Sequence, residues 1–429
     1  MVSLKVQPSK LSGEVTAPPS KSYTHRAFMV ALLAKGESKI LAPLLGLDTR
    51  ATIDAARALG AEVVQRGDVW HVKGTGGKLK SPTDVIDAKN SGTTIRMMSA
   101  IAALSPKPVK LTGDESIQKR PMGPLVEALV ELGAKAHCDG PQGRPPVIVG
   151  GGIDGGDVEI TGSVSSQFIS ALLLAAPYAR EDTKIAITEK MRSRPYVDIT
   201  LELLDAAGAK VKRNKDLSEF SIPGGQVFKP LDITIPGDFS SAAFVLGAAA
   251  LTGSTVAMNN LDVKGAQGDK RVVDFFRDFG VNVVVKEKSV QVSGSGEMSG
   301  IDTNCGDTPD LVPVLAVLGS VADGRTRLSD IPHLRMKETD RLRALAVGLR
   351  EFGADVKELP DELQLRGVKG LKGAKVESFG DHRMAMAFAV AGLVAKGQTI
   401  VSEAESIPVS YPTFVEDMRK LGAKIELVK

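Results

Sequence analysis

One short signature recurs six times along the 429 residues and limits what this chain can fold into. An apolar residue or alanine is followed by glycine, then Ala or Val, one variable residue, and Val, Ile or Ala. It stands at Leu59-Gly60-Ala61, Leu132-Gly133-Ala134, Ala207-Gly208-Ala209, Phe279-Gly280-Val281, Phe352-Gly353-Ala354 and Leu421-Gly422-Ala423. The glycines are 73, 75, 72, 73 and 69 residues apart. Each follows an amphipathic stretch and precedes alternating residues, as in Val281-Asn282-Val283-Val284-Val285. That pattern predicts a helix closed by a glycine C-cap and running into a strand. Self-similarity at a fixed period is the mark of a repeat architecture.

A second element keeps step with the first. A polar loop opens an Ala-rich apolar helix, which gives way to a β-branched strand. The six loops are Pro19-Ser20-Lys21-Ser22, Lys89-Asn90-Ser91-Gly92, Val164-Ser165-Ser166-Gln167, Asp238-Phe239-Ser240-Ser241, Asp307-Thr308-Pro309-Asp310 and Gly380-Asp381-His382-Arg383. Each unit therefore reads βαβαββ, and six α/β units account for nearly the whole chain. Any α/β protein holds a Gly-capped helix before a strand, but not six at near-constant spacing with matching loops. Length alone fits two or three domains. Hydrophobic residues at 43% supply a sizeable core, and aromatics at only 4% favour tightly packed α/β layers over an aromatic-rich sandwich.

Composition also excludes function classes. A net charge of +3 gives no bulk footing for nucleic acid. Apolar runs such as 168–176 and 242–251 are too short or too Gly-interrupted to span a bilayer, and no basic segment leads into an apolar one at the N-terminus. Cys138 and Cys305 form no metal or redox motif, and five scattered histidines argue against a structural metal. A reducing cytoplasm is the simplest setting. The Gly-rich stretch 150–156 lacks the Lys-Ser/Thr of a phosphate-binding loop and reads as a turn between strands.

The chemistry sits on the repeated loops. A helix N-terminus presents unsatisfied N–H groups and the positive end of the macrodipole, which makes an anion site. The loops carry Lys21, Ser22 and Arg26; Asn90, Gly92, Thr93 and Arg96; Ser165, Ser166 and Gln167; Asp310; and Asp381, His382 and Arg383. Arg120 lies in Gln118-Lys119-Arg120-Pro121, and Arg335 to Arg341 is the most charged run of the chain. Arginine forks match carboxylates and phosphates. So many cations beside serines imply more than one anionic group, and Asp310 and Glu338 are placed to transfer protons. In isolation a charge run is a solvated helix face and a Ser-Ser is an N-cap. Polar residues on the equivalent loop of successive repeats point instead to one site for small polyanions.

These residues resemble a known family, the EPSP synthases of the enolpyruvyl transferases. Pro18-Pro19-Ser20-Lys21-Ser22-Tyr23-Thr24-His25-Arg26 is similar to the family's N-terminal motif, and Asn90-Ser91-Gly92-Thr93-Thr94-Ile95-Arg96 to its Asn-x-Gly-Thr-x-x-Arg loop. Residues 162–168, Ser193-Arg194-Pro195-Tyr196, 335–341 and Asp381-His382-Arg383-Met384-Ala385-Met386 match in order, covering residues 3 to about 425. The resemblance implies transfer of the carboxyvinyl group of phosphoenolpyruvate to the 5-hydroxyl of 3-phosphoshikimate, in the shikimate pathway, by a monomer that needs no metal or organic cofactor. It implies two domains of three units each, 1–19 plus 236–429 and 20–235, with helices inside, sheets outside and the active site in the cleft between them.

The resemblance also assigns roles. Lys21, Ser22, Arg26, Ser165, Ser166, Gln167, Ser193, Asp310, Lys337 and His333 would hold 3-phosphoshikimate. Lys21, Asn90, Gly92, Arg120, Gln167, Arg341 and Arg383 would hold phosphoenolpyruvate. Asp310, with Lys21, would be the base and Glu338 the acid; Thr93, Arg96, Asp381 and His382 would support them. The sequence departs from the family pattern at Val409, where a Lys is frequent, at His333, where an Asn is, and at Met97, where a Pro is. The nearest rival is UDP-N-acetylglucosamine carboxyvinyl transfer, whose family carries Lys-Asn where this chain has Lys21-Ser22 and usually uses a loop Cys. A non-catalytic scaffold would lack Asp310 and Glu338. An RNA-end cyclase would need a nucleotidylated His and a basic groove.

Overall fold

All six repeat glycines adopt positive φ, from +77° at Gly208 to +111° at Gly60. Glycine alone takes this left-handed conformation without a Cβ penalty. Each ends the second helix of its unit: Leu47–Ala58, Gly123–Glu131, Pro195–Ala206, Val272–Asp278, Arg341–Glu351 and Phe414–Lys420. The same pair of hydrogen bonds closes every one. In the first unit Gly60 N–H donates to the Arg57 carbonyl and Ala61 N–H to that of Ala56, both at 3.0 Å. In the last unit Gly422 and Ala423 donate in the same way to Arg419 and Met418 at 2.9 Å. This is the Schellman closure, which satisfies carbonyls that the helix end leaves open.

The computed structural model describes residues 2–295 and 297–429. Among them lie six four-stranded sheets of one pattern. Two parallel strands, each followed by a helix, lie at one side, and two antiparallel strands complete the sheet. In the second unit Ile86–Asp87 pairs in parallel with Val109–Thr112, which pairs with Arg144–Gly150, itself next to Lys135–Gly140. The third unit repeats this with Gly156–Ile160, Thr183–Ile187, Glu219–Ile222 and Lys212–Arg213. Residues 151–155 form the turn between the second and third sheets. In the second, third, fifth and sixth units both parallel strands lead into helices of the same unit, which puts the two helix N-termini at the same edge of the sheet.

Three units draw a strand from elsewhere in the chain. Ser12–Thr16 opens the fourth sheet by pairing in parallel with Thr255–Asn259. Asp232–Thr234 opens the first by pairing with Glu37–Leu41. Ser3–Gln7 completes the sixth, between Thr399–Ser402 and Lys424–Val428. The chain thus divides into two compact units, Met1–Pro18 with Pro236–Lys429, and Pro19–Ile235. Each contains three of the repeats, and the chain passes between them at proline-marked segments.

Within each compact unit the first helices form the centre. Lys21–Leu33, Gly92–Ala102 and Ser166–Ala175 are buried along nearly their whole length, as are Phe239–Thr252, Val312–Gly319 and His382–Gly392. A helix apolar on all sides must be enclosed. The strands alternate buried and exposed residues, as in Glu37–Leu41, so one face of the sheet is solvated.

Five of the six first helices are capped by a polar side chain from the expected loop. Ser20, Ser91, Ser165, Asp238 and Asp381 accept from the backbone N–H of Tyr23, Thr94, Gln167, Ser241 and Arg383. Each cap contributes about 0.5–2 kcal/mol. The fifth helix differs. It begins at Val312 with Pro313 in its first turn and no side-chain cap. Asp310 precedes the helix and spends its carboxylate on two arginines instead.

Candidate active site

The residues singled out by sequence fall into two sets, one in each compact unit. In Pro19–Ile235, Lys21 and Ser22 open the first helix. Lys21 Nζ lies 3.2 Å from Asp48 Oδ2, with both side chains largely buried. Arg26, one turn further on, is 2% exposed. Its Nε donates to Thr200 Oγ1 at 2.7 Å, and its Nη1 to the Ser22 carbonyl at 3.1 Å. Burial lowers its pKa to about 10, so it remains a cation at neutral pH.

The second and third first-helices meet through side chains. Arg96 Nη1 donates to Ser165 Oγ at 3.1 Å and to Gln167 Oε1 at 2.9 Å, with its guanidinium over the Phe168 ring at 5.1 Å. The Gln167 amide then donates to Thr93 Oγ1 at 2.9 Å. Arg96 therefore fixes which end of Gln167 faces which neighbour. Ser166 is buried at the helix start, and Ser193, also buried, is held at φ +56° just before the helix Pro195–Ala206. A non-glycine residue in that region is uncommon and stores strain of about 1–3 kcal/mol.

Gly92 is the first residue of its helix, and Arg120 packs over it: a Cβ at Gly92 would overlap Arg120 Nη1. Arg120 ends the short turn that follows Asp114 and donates to Ser116 Oγ at 3.3 Å. Asp114 also accepts from Asn90 Nδ2 at 2.7 Å, joining the Gly92 loop to the Arg120 segment. Met97 is fully buried within the helix.

In the other compact unit three carboxylates surround one guanidinium. Arg341, 1% exposed, donates from Nη1 to Asp310 at 2.9 Å, from Nη2 to Glu338 at 2.8 Å, and from Nε to Asp381 at 2.7 Å. Burial opposes its charge, but Asp381, Glu338 and Asp310 outweigh it and raise its pKa above the ordinary arginine value. Arg383 Nη2 reaches the second oxygen of Asp310 at 2.9 Å and Ser240 Oγ at 3.0 Å. Asp381 is completely buried and caps the helix that carries His382 and Arg383.

The run Arg335 to Arg341 is not a helix face. Pro332–Met336 forms a 3₁₀ turn containing buried His333; Lys337 and Glu338 follow in a loop; Arg341 starts the next helix. Arg335 is structural. It bonds Asp340, Glu358 and the carbonyls of Leu359 and Pro360 at 2.7–2.9 Å.

The sequence reading missed Asp48, Thr94, Thr200 and Ser240. The first sits at the start of a second helix, as Arg341 does. Asp48 reaches Lys21 across the two helix starts, so the loops entering second helices were the signal to follow. The two sets differ in charge. Lys21, Arg26, Arg96 and Arg120 leave the first cationic, suited to anions. The second balances Lys337, Arg341 and Arg383 against Asp310, Glu338 and Asp381. It suits proton transfer, because an incoming anion that takes the arginines releases the carboxyls. Among the described residues, no group of three or more His, Cys, Asp or Glu side chains could hold a metal, and no helix is long and apolar enough to cross a membrane.

Residues 5–418 match the family model for EPSP synthase, 3-phosphoshikimate 1-carboxyvinyltransferase. A 3-phosphoshikimate 1-carboxyvinyltransferase of Methanocaldococcus jannaschii is 46% identical over 422 residues, 97% of each chain. One from Methanocella arvoryzae is 47% identical over 425 residues, 99% of each chain. The structure of an EPSP synthase from Acinetobacter baumannii superposes with a TM-score of 0.84 at 28% identity, covering 100% of both chains.

Proposed function

The chain belongs to the EPSP synthase family, and from that premise we propose how its residues divide the family's reaction. The protein is a transferase that moves the carboxyvinyl group of phosphoenolpyruvate to the 5-hydroxyl of 3-phosphoshikimate, releasing phosphate. The observation that carries the assignment of roles is Arg341, which gathers Asp310, Glu338 and Asp381 around one buried guanidinium.

Arg341 and Arg383, with Arg120, Lys21, Asn90, Gly92 and Gln167, take the phosphate and carboxylate of phosphoenolpyruvate. Ser22, Arg26, Ser165, Ser166, Gln167 and Ser193, with Asp310, Lys337 and His333, take 3-phosphoshikimate. Arg26 acts from beneath the loop, because its donors bind Thr200 and the Ser22 carbonyl. Arg96 and Thr93 orient Gln167; Asp381 holds Arg341, and His382 supports the site from beside Asp381. One chain carries the residues of both sets, which supports the reading of a monomer. Cys138 and Cys305 are free thiols, which fits work in the reducing cytoplasm.

As phosphoenolpyruvate engages Arg341, Glu338 loses its ion pair and can carry a proton. It gives that proton to C3 of phosphoenolpyruvate, and C2 becomes electrophilic. The 5-hydroxyl oxygen bonds C2 while Asp310 or Lys21 removes the hydroxyl proton. C3 then returns a proton, the C2–O bond to phosphate breaks, and the enolpyruvyl ether and phosphate leave. Fixed cations stabilise the anionic groups throughout.

Neither the family match nor the relatives favour transfer to UDP-N-acetylglucosamine. A phosphate-release assay tests the choice. Phosphate should appear with phosphoenolpyruvate plus 3-phosphoshikimate and not with UDP-N-acetylglucosamine; the reverse pattern would overturn the assignment.

A further inference from the structure

We propose that Asp48 is a positioning residue for Lys21, held in place by a buried chain of hydrogen bonds through Thr94, Thr52 and His25. The proposal rests on the reading of Lys21 as a substrate contact.

Two helices face each other here with matching i, i+4 spacing. Lys21 and His25 lie one turn apart on Lys21–Leu33, and Asp48 and Thr52 one turn apart on Leu47–Ala58. Residues four apart share a helix face. They form two rungs: Lys21 Nζ to Asp48 Oδ2 at 3.2 Å, and His25 Nδ1 to Thr52 Oγ1 at 2.7 Å. A third helix locks the pair. From Gly92–Ala102, Thr94 Oγ1 lies 2.7 Å from Thr52 Oγ1 and 3.3 Å from the Asp48 carbonyl oxygen. It also lies 2.7 Å from Ser91 Oγ, which caps the helix that begins at Gly92. These contacts tie the backbone of Asp48, whose carboxylate meets Lys21, to the cap of the helix that begins at Gly92.

The direction of the chain follows from burial. His25 is fully buried, and burial first, then Lys21 and Arg26, hold its pKa well below the ordinary value. The ring is neutral, and its Nε2 has no partner among the described residues. An unmet lone pair costs less than an unmet N–H. The proton therefore sits on Nδ1 and is donated to Thr52. Thr52 donates to Thr94, and Thr94 to Ser91 Oγ or the Asp48 carbonyl. None of His25, Thr52, Thr94 and Ser91 is exposed, each at 0%. A buried, directional chain specifies one geometry. It costs side-chain entropy, and an apolar contact between the same helices would not need it.

The chain fixes something that would otherwise move. Lysine is a compact charge on a flexible stem. An ammonium has three donor hydrogens, and anchoring one on Asp48 sets where the others point. Asp48 is also in the first turn of its helix, where a carboxylate is favoured and stays in place.

The test is steady-state kinetics on the full-length enzyme with phosphoenolpyruvate and 3-phosphoshikimate, thermal midpoints being measured alongside. Asp48→Asn should lower kcat/KM about tenfold or more, the loss of a charge-assisted bond. Thr94→Val should lower it in the same direction, whereas Thr94→Ser, which restores the hydroxyl, should stay within about twofold of wild type. Lys21→Met runs beside them. If Lys21→Met is inactive but Asp48→Asn is within twofold of wild type, the positioning role is overturned. If Lys21→Met is fully active, the substrate role of Lys21 fails instead. Equal rates for Thr94→Val and Thr94→Ser would overturn the hydroxyl chain. Should Asp48→Asn not fold, Asp48→Glu keeps the charge and moves it by one methylene. It should fold with a reduced kcat, and an unchanged kcat would overturn the proposal.

Discussion

Replacing Gly92 by alanine isolates the placement of one arginine from the stability of the fold. Gly92 is the first residue of its helix and has no positive φ, so alanine fits the backbone there. Alanine is the better helix former by about 1 kcal/mol at most. The three nearest atoms its methyl meets all belong to Arg120. It would overlap Nη1, with Cζ at 3.5 Å and Cδ at 3.9 Å. The guanidinium must retreat by about 1 Å to restore normal van der Waals separation. Arg120 Nη2 donates to Ser116 Oγ at 3.3 Å, near the limit of a hydrogen bond. A charge-assisted bond put out of reach costs about 1.5–3 kcal/mol. The KM for phosphoenolpyruvate should therefore rise about tenfold to a hundredfold. The KM for 3-phosphoshikimate and the thermal midpoint should stay near wild type. Arg120→Ala should raise the same KM, and the double variant should be no worse than Arg120→Ala, because both act on one group. Additive losses would refute the reasoning, as would a normal KM in Gly92→Ala beside a raised one in Arg120→Ala.

Three further outcomes follow. Glu338→Gln and Asp310→Asn should each lower single-turnover rates by about 10²–10⁴-fold, with 3-phosphoshikimate still binding; near-normal chemistry in Glu338→Gln would leave that residue as a mere ion-pair partner of Arg341. Arg341→Leu should cost about 3–5 kcal/mol in urea unfolding, because it strands the completely buried carboxylate of Asp381, and a loss under 1 kcal/mol would mean that the site relaxes around it. His25 should impose a pH dependence. Its pKa is lowered in the fold, so the unfolded chain binds the extra proton and stability is lost as pH falls below about 6.5. The loss approaches about 1.4 kcal/mol per pH unit, and urea unfolding at pH 7 and 5.5 should show it in wild type but not in His25→Asn.

The repeat was legible because it depends on local chemistry. A glycine at a left-handed C′ position followed by alternating residues admits few structures, and all six closed as the pattern predicts. The polar loops were legible for the same reason, since a Ser or Asp that caps a helix is a short-range signal. Asp310 was the exception: its helix starts later, so its carboxylate is committed to Arg341 and Arg383 rather than to a cap. What could not be read was set by distant parts of the chain. The pairing of Ser12–Thr16 with Thr255–Asn259 joins segments more than 240 residues apart and leaves no local mark. The facing of Lys21 on Asp48, and of His25 on Thr52, arises only when two helices pack. The charge run at 335–341 showed its composition but not its division into a structural Arg335 and a site residue Arg341.

The central claim is that C–O cleavage in phosphoenolpyruvate is coupled to attack by a 3-phosphoshikimate hydroxyl. Phosphoenolpyruvate labelled with ¹⁸O at the bridging oxygen tests it directly. The account predicts that the label appears in the released phosphate, that release requires 3-phosphoshikimate, and that the organic product is an enolpyruvyl ether with an intact vinylidene group. Label retained in pyruvate would show P–O hydrolysis, and phosphate released without the acceptor would show hydrolysis uncoupled from transfer; either would contradict it.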